Sequence, residues 1–223
     1  MFDRIAPRYD LLNRLLSGGT DVRWRRRAVD SLDLAAPARV LDLCTGTADL
    51  LIEALRRDPG HSGVGLDLSQ AMLVRGASKI RRGGFEARAR LVGGDGERLP
   101  VGDALFDGAL VAFGIRNIGD PLAALREVHR VLRPGGRFVV LEFSLPPGIA
   151  GRLYRLYFTQ ILPRVGGLVS GDRSAYAYLP ASVAGFPTPE AFGNLMEQAG
   201  YVSVRWQLLT GGIACLHQGE KAR

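Results

Sequence analysis

The chain has 223 residues, 47% of them hydrophobic and 23% charged, a balance that suits one globular domain burying about 70% of its unfolded surface. No apolar run approaches the ~18 residues needed to cross a bilayer, and the opening Met1-Phe-Asp-Arg-Ile-Ala-Pro7 lacks the apolar stretch of a signal peptide, so a cytoplasmic protein is expected. The formal net charge is +7, yet of the 29 basic residues only Lys79 and Lys221 are lysines; no recognised RNA- or DNA-binding motif accompanies the arginines, and no nucleic-acid partner is expected.

Residues 1–35 predict a helical cap. Leu11, Leu12, Leu15 and Leu16, then Val22, Trp24, Ala28, Val29 and Leu32, fall at helical spacing around the break Ser17-Gly-Gly-Thr20, which implies two short amphipathic helices. The cluster Arg23-Trp24-Arg25-Arg26-Arg27 suits a solvated helix face, with contact to an anionic membrane surface as the alternative.

Residues 36–145 alternate strands and helices: a strand over 38–43, a helix from about 48 to 57, a strand over 63–68 and a helix beginning near Ser69. A third strand is predicted over 89–93, and a fourth over 106–113 leads into Gly114-Ile-Arg-Asn117. A helix from about 121 to 132 stops where Arg133-Pro-Gly-Gly136 breaks it, and a fifth strand follows over 137–142. Such a succession implies an α/β fold with a doubly wound, Rossmann-like sheet.

Residues 146–188 are richer in tyrosine (Tyr154, Tyr157, Tyr176, Tyr178) and read as a substrate-lid insertion. Within it Ile149, Leu153, Leu156, Tyr157 and Ile161 repeat at helical spacing, which an ordinary amphipathic helix covering the sheet also explains. Residues 189–223 supply a helix over about 189–199 and strands near 202–209 and 212–217 that complete the sheet.

The segment Val40-Leu-Asp-Leu-Cys-Thr-Gly-Thr-Ala-Asp49 ends an apolar strand on Asp42 and turns through Gly46, where small residues let the backbone approach a ligand and the next helix offers its N–H groups. Asp42 separates two readings of that turn. A carboxylate there repels a pyrophosphate and attracts the ammonium and sulfonium of S-adenosyl-L-methionine. The dinucleotide fingerprint GxGxxG would need glycines at 44, 46 and 49, where the chain has Cys44, Gly46 and Asp49.

In an open α/β sheet the ligand sits outside the carboxyl ends of the strands, so further contacts should follow strands. Asp67 closes the second strand, where an acid accepts ribose hydroxyls; Asp95 follows the third, placed to accept from an adenine amino group, with Gly96 supplying a backbone N–H; Ala112 ends the fourth. Taken singly, each acid is as well explained as a helix cap or a solvated turn. Cys44 and Cys215 belong to no CxxC or Cys/His pattern, and His61, His129 and His217 are far apart, so no metal is expected.

At this point the chain resembles the ubiquinone and menaquinone biosynthesis C-methyltransferases, a branch of the class I S-adenosylmethionine-dependent methyltransferases. The similarity runs through FDRIAPRYDLLNRLLSGG, LDLCTGTADL, GLDLSQAML, AFGIRN, RVLRPGGRFVVLEFSLP, SGDRSAYAYLPASVAGFP and LLTGGIACLHQG. It implies a mostly parallel seven-stranded sheet. It also implies that Thr47, Asp67, Asp95, Gly96 and Ala112 correspond to cofactor-contact positions. Ala112 stands where serine is frequent, so a side-chain hydrogen bond is lost, and Ala48 replaces a common glycine, a change tolerated at negative φ.

The implied reaction moves a methyl group from a sulfonium to a ring carbon of a reduced prenylated quinone. Arg116 is expected to stabilise phenolate charge, Asn117 to orient the ring, and His217 to relay a proton, with a bracing ion pair and a structural histidine as the plainer alternatives. Tyr9, Asp10, Asp172 and Tyr176 fall in family-like segments that close the site. The short amino terminus and the CTGTAD turn favour demethylmenaquinol over the 2-polyprenyl-6-methoxy-1,4-benzoquinol precursor of ubiquinone as acceptor. A non-catalytic cofactor-binding scaffold and methylation of another small molecule are the competing functions. Expected partners are the prenylated quinol, the inner face of the membrane through a peripheral contact, and a second copy in a homodimer.

Overall fold

The computed structural model describes residues 17, 19–146, 148, 151 and 180–223. Helix α1 (Thr20–Asp30) precedes an alternation of β1 (Arg39–Leu43), α2 (Asp49–Arg57), β2 (Ser62–Asp67), α3 (Gln70–Gly83), β3 (Ala89–Gly93), β4 (Phe106–Ala112), α4 (Pro121–Val131) and β5 (Leu132–Phe143). The chain then closes with α5 (Pro189–Gln198), β6 (Tyr201–Leu209) and β7 (Ala214–Lys221). The strands make one sheet in the order β3-β2-β1-β4-β5-β7-β6, with β7 antiparallel to both neighbours and the other pairs parallel. From β1 the chain winds outward through β2 to β3, then returns to lay β4 on the other side of β1. Their carboxyl ends therefore part at the point where an open α/β sheet takes its ligand.

Local sequence explains where several helices begin. Asp120 accepts the N–H groups of Leu122 (2.9 Å) and Ala123 (3.1 Å), and Pro121 occupies the first turn where no donor is needed, so α4 starts there. Thr188 and Pro189 repeat the device for α5. The Ser69 hydroxyl accepts from Met72 N–H at 3.3 Å to open α3, and Gly84, at φ 74, ends it.

Alternate strand residues feed opposite layers. Ala109 and Val111 of β4 pack with Val128 of α4 and Phe192 of α5, while Leu110 between them packs with Trp24 of α1 and Leu50 of α2. Two boundaries differ from expectation. The fifth strand begins at Leu132 and runs through Pro134-Gly135-Gly136, because Leu132 pairs with Phe106 before the register shifts and Gly108 meets Arg137. The last strand starts at Ala214 and reaches Lys221, because Thr210–Gly212 form a 3-10 turn with Gly211 at φ 67. The helix expected over residues 9–16, the insertion helix near 149–161, and Tyr9, Asp10, Asp172 and Tyr176 lie outside the described residues. Residues 180–185 are helical, and Val183 among them is buried.

Candidate active site

Beyond Leu43 the backbone takes the left-handed conformation at three alternate residues, Cys44 (φ 53), Gly46 (φ 54) and Ala48 (φ 66), before α2 begins. Glycine does so freely, whereas Ala48 carries strain of about 1 kcal/mol, so the condition under which alanine would replace glycine without cost is not met. The curl turns its donors inward. Thr45 N–H reaches the Leu66 carbonyl at 2.9 Å, Gly46 N–H reaches Asp67 Oδ2 at 2.8 Å and Ala48 N–H reaches the Thr45 carbonyl at 2.8 Å. These three turn donors are thus committed within the protein.

Asp42 lies beneath this turn. Its Oδ2 accepts from the Thr45 hydroxyl at 2.6 Å and from Leu51 N–H at 3.0 Å in the first turn of α2, and the side chain is 1% exposed. Burial pushes its carboxyl up to about 7 against the opposing pull of those two bonds, and the Asp67 carboxylate adds to the rise. Thr47 is also turned inward, its hydroxyl accepting from Lys79 Nζ at 2.8 Å while the ammonium pairs with Asp49 at 2.6 Å. Both residues were expected beside the cofactor; both support the turn that borders the cavity, and neither is among the residues that line it.

That cavity, of about 300 Å³, opens at the carboxyl ends of β1, β2, β3 and β4, and Gly46, Asp67, Asp95, Gly96, Ala112 and Asn117 all line it. Leu66, Leu68, Met72 and Ile118 make its apolar walls, and its charged lining residues are Asp67, Asp95 and Glu97, with no basic side chain among the described residues. Asp67 is fixed by two backbone donors, Gly46 N–H on Oδ2 and Ser69 N–H on Oδ1, both at 2.8 Å. Asp95 accepts from Glu97 N–H at 3.0 Å. Two glycines set the width of the cleft. A Cβ at Gly96 would stand 2.9 Å from Ile118 Cδ1, and one at Gly114 would stand 2.3 Å from the Cys44 Cβ. Burial, with the Asp67, Asp42 and Glu142 carboxylates, pushes the Cys44 thiol well up, so it stays protonated.

Arg116 is not in the lining but lies one residue from Asn117, which is. Its Nη1 donates to Glu142 Oε1 at 2.7 Å and to the Phe113 carbonyl at 2.6 Å, its Nε donates to Ser182 Oγ at 3.3 Å, and its guanidinium lies 5.4 Å from the Phe143 ring centre. His217 is elsewhere. It is 1% exposed in β7, its Nε2 donates to the Pro189 carbonyl at 2.8 Å, and its ring packs edge-on to Phe192. Burial pushes it down to about 4, and the ring does not line the cavity, a placement that matches the structural alternative to the relay.

Sequence reasoning missed Glu97, Leu68 and Glu142. Leu68 is 75% exposed although it directly follows a strand, which the sequence does not signal, whereas Glu142 was signalled as a single charge inside the apolar run Phe138-Val-Val-Leu-Glu-Phe143.

A partly apolar cleft whose charged lining is acidic among the described residues fits an adenosine-bearing sulfonium and disfavours a dinucleotide. The family model for the ubiE/COQ5 methyltransferase family matches residues 1–221. This chain belongs to that family. It is 52% identical over 222 residues to the demethylmenaquinone methyltransferase of Thermus thermophilus, covering 99% of this chain and 100% of the relative. It is 50% identical to a ubiquinone/menaquinone biosynthesis C-methyltransferase of Syntrophotalea carbinolica, covering 98% and 92%. Among solved structures, the S-adenosylmethionine-dependent methyltransferase of Thermotoga maritima, a possible histamine N-methyltransferase, superposes with a TM-score of 0.69 at 20% identity, over 99% of this chain and 98% of that one. The fold is that of the class I methyltransferases, the protein is a methyltransferase, and its cofactor is S-adenosyl-L-methionine.

Proposed function

We propose that this methyltransferase acts on a ring carbon of a reduced prenylated quinone and that the acceptor is demethylmenaquinol, converted to menaquinol. The observation that carries the reading is the cavity at the switch point, lined by Asp67, Asp95 and Glu97 and by Asn117, the neighbour in sequence of Arg116, which lies against the Phe143 ring. The half-identical menaquinone-type relative supports the choice of acceptor. Bound there, S-adenosylmethionine supplies an electrophilic methyl group on a cationic sulfur. Asp67 would hold the ribose hydroxyls, Asp95 and Gly96 the adenine edge, and Gly46 and Ala112 the flat faces along which the cofactor lies. Asp42 and Thr47 would contribute by holding the β1–α2 turn in shape.

The protein's own part in the chemistry is alignment, charge and dryness. Arg116 stabilises the quinol oxygen as its proton leaves, which makes the ring carbon nucleophilic, and Asn117 fixes the ring by hydrogen bonding. Phe113, Phe143 and Trp24 form an aromatic cluster beside them, with centroid separations of 4.5 Å for Phe113–Phe143 and 6.1 Å for Trp24–Phe113. That cluster limits water near the developing phenolate. Transfer would leave S-adenosylhomocysteine behind; the proton lost from the quinol oxygen would go to solvent, and the proton shed by the methylated carbon would return to that oxygen and restore the quinol.

The same reading includes a peripheral membrane contact, a homodimer and a lid formed by residues 146–188. The polyprenyl tail of the acceptor motivates the first, since among the described residues no helix is long and apolar enough to cross a membrane. The exposed Val202, Trp206 and Leu208 of edge strand β6 offer an apolar surface for the second. Flotation with anionic vesicles tests the insertion: a folded variant lacking residues 148–165 should lose vesicle binding, and unchanged binding would place the contact elsewhere. For the acceptor, quinones extracted from cells lacking this protein should accumulate a species one methyl short of menaquinone, whereas an unaltered menaquinone pool would remove the assignment.

A further inference from the structure

Glu142 is a fully buried carboxylate at the end of β5, beside the end of β4, and the contacts described so far give it no part in holding the sheet together. Both its oxygens turn toward one loop. Oε1 accepts from Arg116 Nη1 at 2.7 Å and from Phe143 N–H at 2.9 Å, and Oε2 accepts from Arg116 N–H at 3.4 Å. The ion pair is almost wholly removed from water, with side-chain exposures of 7% for Arg116 and 1% for Glu142. Such a pair contributes little to stability compared with apolar side chains of the same volume, because the desolvation of both charges offsets their attraction. Burial pushes the Glu142 carboxyl up while the guanidinium pulls it back.

The placement of the remaining contacts gives the pair a use. Nη1 is shared between Glu142 and the Phe113 carbonyl, Nε is held by Ser182, and the guanidinium is stacked near Phe143, so the planar fork is constrained on three sides. The two N–H bonds of Nη2 carry no partner among the described residues. A guanidinium has a fixed fork geometry, so locking Nη1 and Nε also fixes the direction of Nη2.

We infer that Glu142 is a positioning residue for the methyl-transfer step: it holds Arg116 so that Nη2 presents two N–H donors to the ionising oxygen of the acceptor. Ser182, on the helical residues 180–185, completes the clamp from the other side. This rests on the reading of Arg116 as the cation that meets the acceptor.

A double-mutant cycle on the full chain tests it, with single-turnover methylation of demethylmenaquinol at saturating cofactor as one measurement and calorimetric affinity for S-adenosylmethionine as the other. Glu142→Gln keeps the shape and removes the charge. It should slow the chemical step by about 100-fold, the scale set by misplacement of a catalytic group, while cofactor affinity stays at the wild-type value. Arg116→Met should slow it at least as much, and the double variant should be no slower than Arg116→Met alone. Glu142→Asp, which keeps the charge on a shorter arm, should recover part of the rate. If Glu142→Gln turns over at the wild-type rate, or if its loss adds in full to that of Arg116→Met, Glu142 does not act through Arg116. If Arg116→Met itself turns over normally, the underlying reading of Arg116 fails instead. Should Glu142→Gln not fold, Ser182→Ala tests the same clamp, with a smaller slowing expected and additivity with Arg116→Met again overturning it.

Discussion

The parallel and antiparallel sides of the sheet each bury a titratable group that shifts in the opposite direction from the other. On the parallel side Asp42 sits beneath the β1–α2 turn that borders the ligand cavity, and burial drives its carboxyl up to about 7. On the antiparallel side His217 sits between α5 and β6, away from the cavity lining, and burial drives its imidazole down to about 4. Desolvation alone explains both directions, since it disfavours the charged form of either group. What differs is the neighbourhood. Asp42 is engaged by a turn hydroxyl and a helix N–H next to further carboxylates, whereas His217 is enclosed by Phe192 and Trp206 with one backbone partner. A buried ionisable group therefore marks the functional rim only where its neighbours reach a cavity.

The largest expected consequence is in the pH dependence of stability. The folded Asp42 binds its proton more tightly than the unfolded side chain, so stability falls as pH rises from about 4 to about 7, by up to about 4 kcal/mol. The folded His217 binds its proton less tightly, so stability falls as pH drops from about 6.5 to about 4, by about 3 kcal/mol. The two trends oppose each other in one window. Relative to wild type, urea unfolding of Asp42→Asn should tilt toward greater stability with rising pH, and His217→Gln should tilt the other way. Parallel pH curves for both variants would contradict the buried states of these two groups.

Next in size is the loss of cofactor binding. Asp67→Ala should weaken S-adenosylmethionine by about 100-fold in calorimetry, the worth of two hydrogen bonds to a charged group, while His217→Gln leaves the affinity unchanged. Equal effects at both positions would abolish the functional distinction between the two sides. A steric version follows. Gly114→Ala forces a Cβ to within 2.3 Å of the Cys44 Cβ and should cost about 2 kcal/mol of stability. At Gly193 in α5 the nearest atom, Trp206 Cζ3, would be 3.2 Å away, and the gain in helix propensity offsets the crowding, so Gly193→Ala should change stability by about 1 kcal/mol or less. The smallest effect concerns Ala48: Ala48→Gly relieves a positive φ and should raise the melting temperature by a few degrees, with a gain of about 1 kcal/mol or less.

The alternation of strands and helices was legible because each element carries its own period and its own caps, as at Asp120-Pro121 and Thr188-Pro189. That Asp67, Asp95, Gly96 and Ala112 would line the cavity was legible for a related reason: topology puts whatever follows a parallel strand at the ligand side. The orientation of Asp42 was not, since four of the five residues of β1 are buried and a strand covered on both faces has no polar alternation from which to read direction. Nor was the pairing of Arg116 with Glu142. The two are distant in sequence, no helical or strand period relates them, and only the side-by-side packing of β4 and β5 joins them. For His217 the residue type left a proton relay and a structural role both open, because the choice depends on an exposure the sequence does not encode.

The most direct test is a single incubation of purified protein with methyl-labelled S-adenosylmethionine and demethylmenaquinol under reducing conditions. One labelled methyl on a ring carbon of the quinol, with one S-adenosylhomocysteine released for each, is the predicted outcome. Tight binding of S-adenosylmethionine with no methylated quinol would contradict the account and leave a cofactor-holding scaffold in its place.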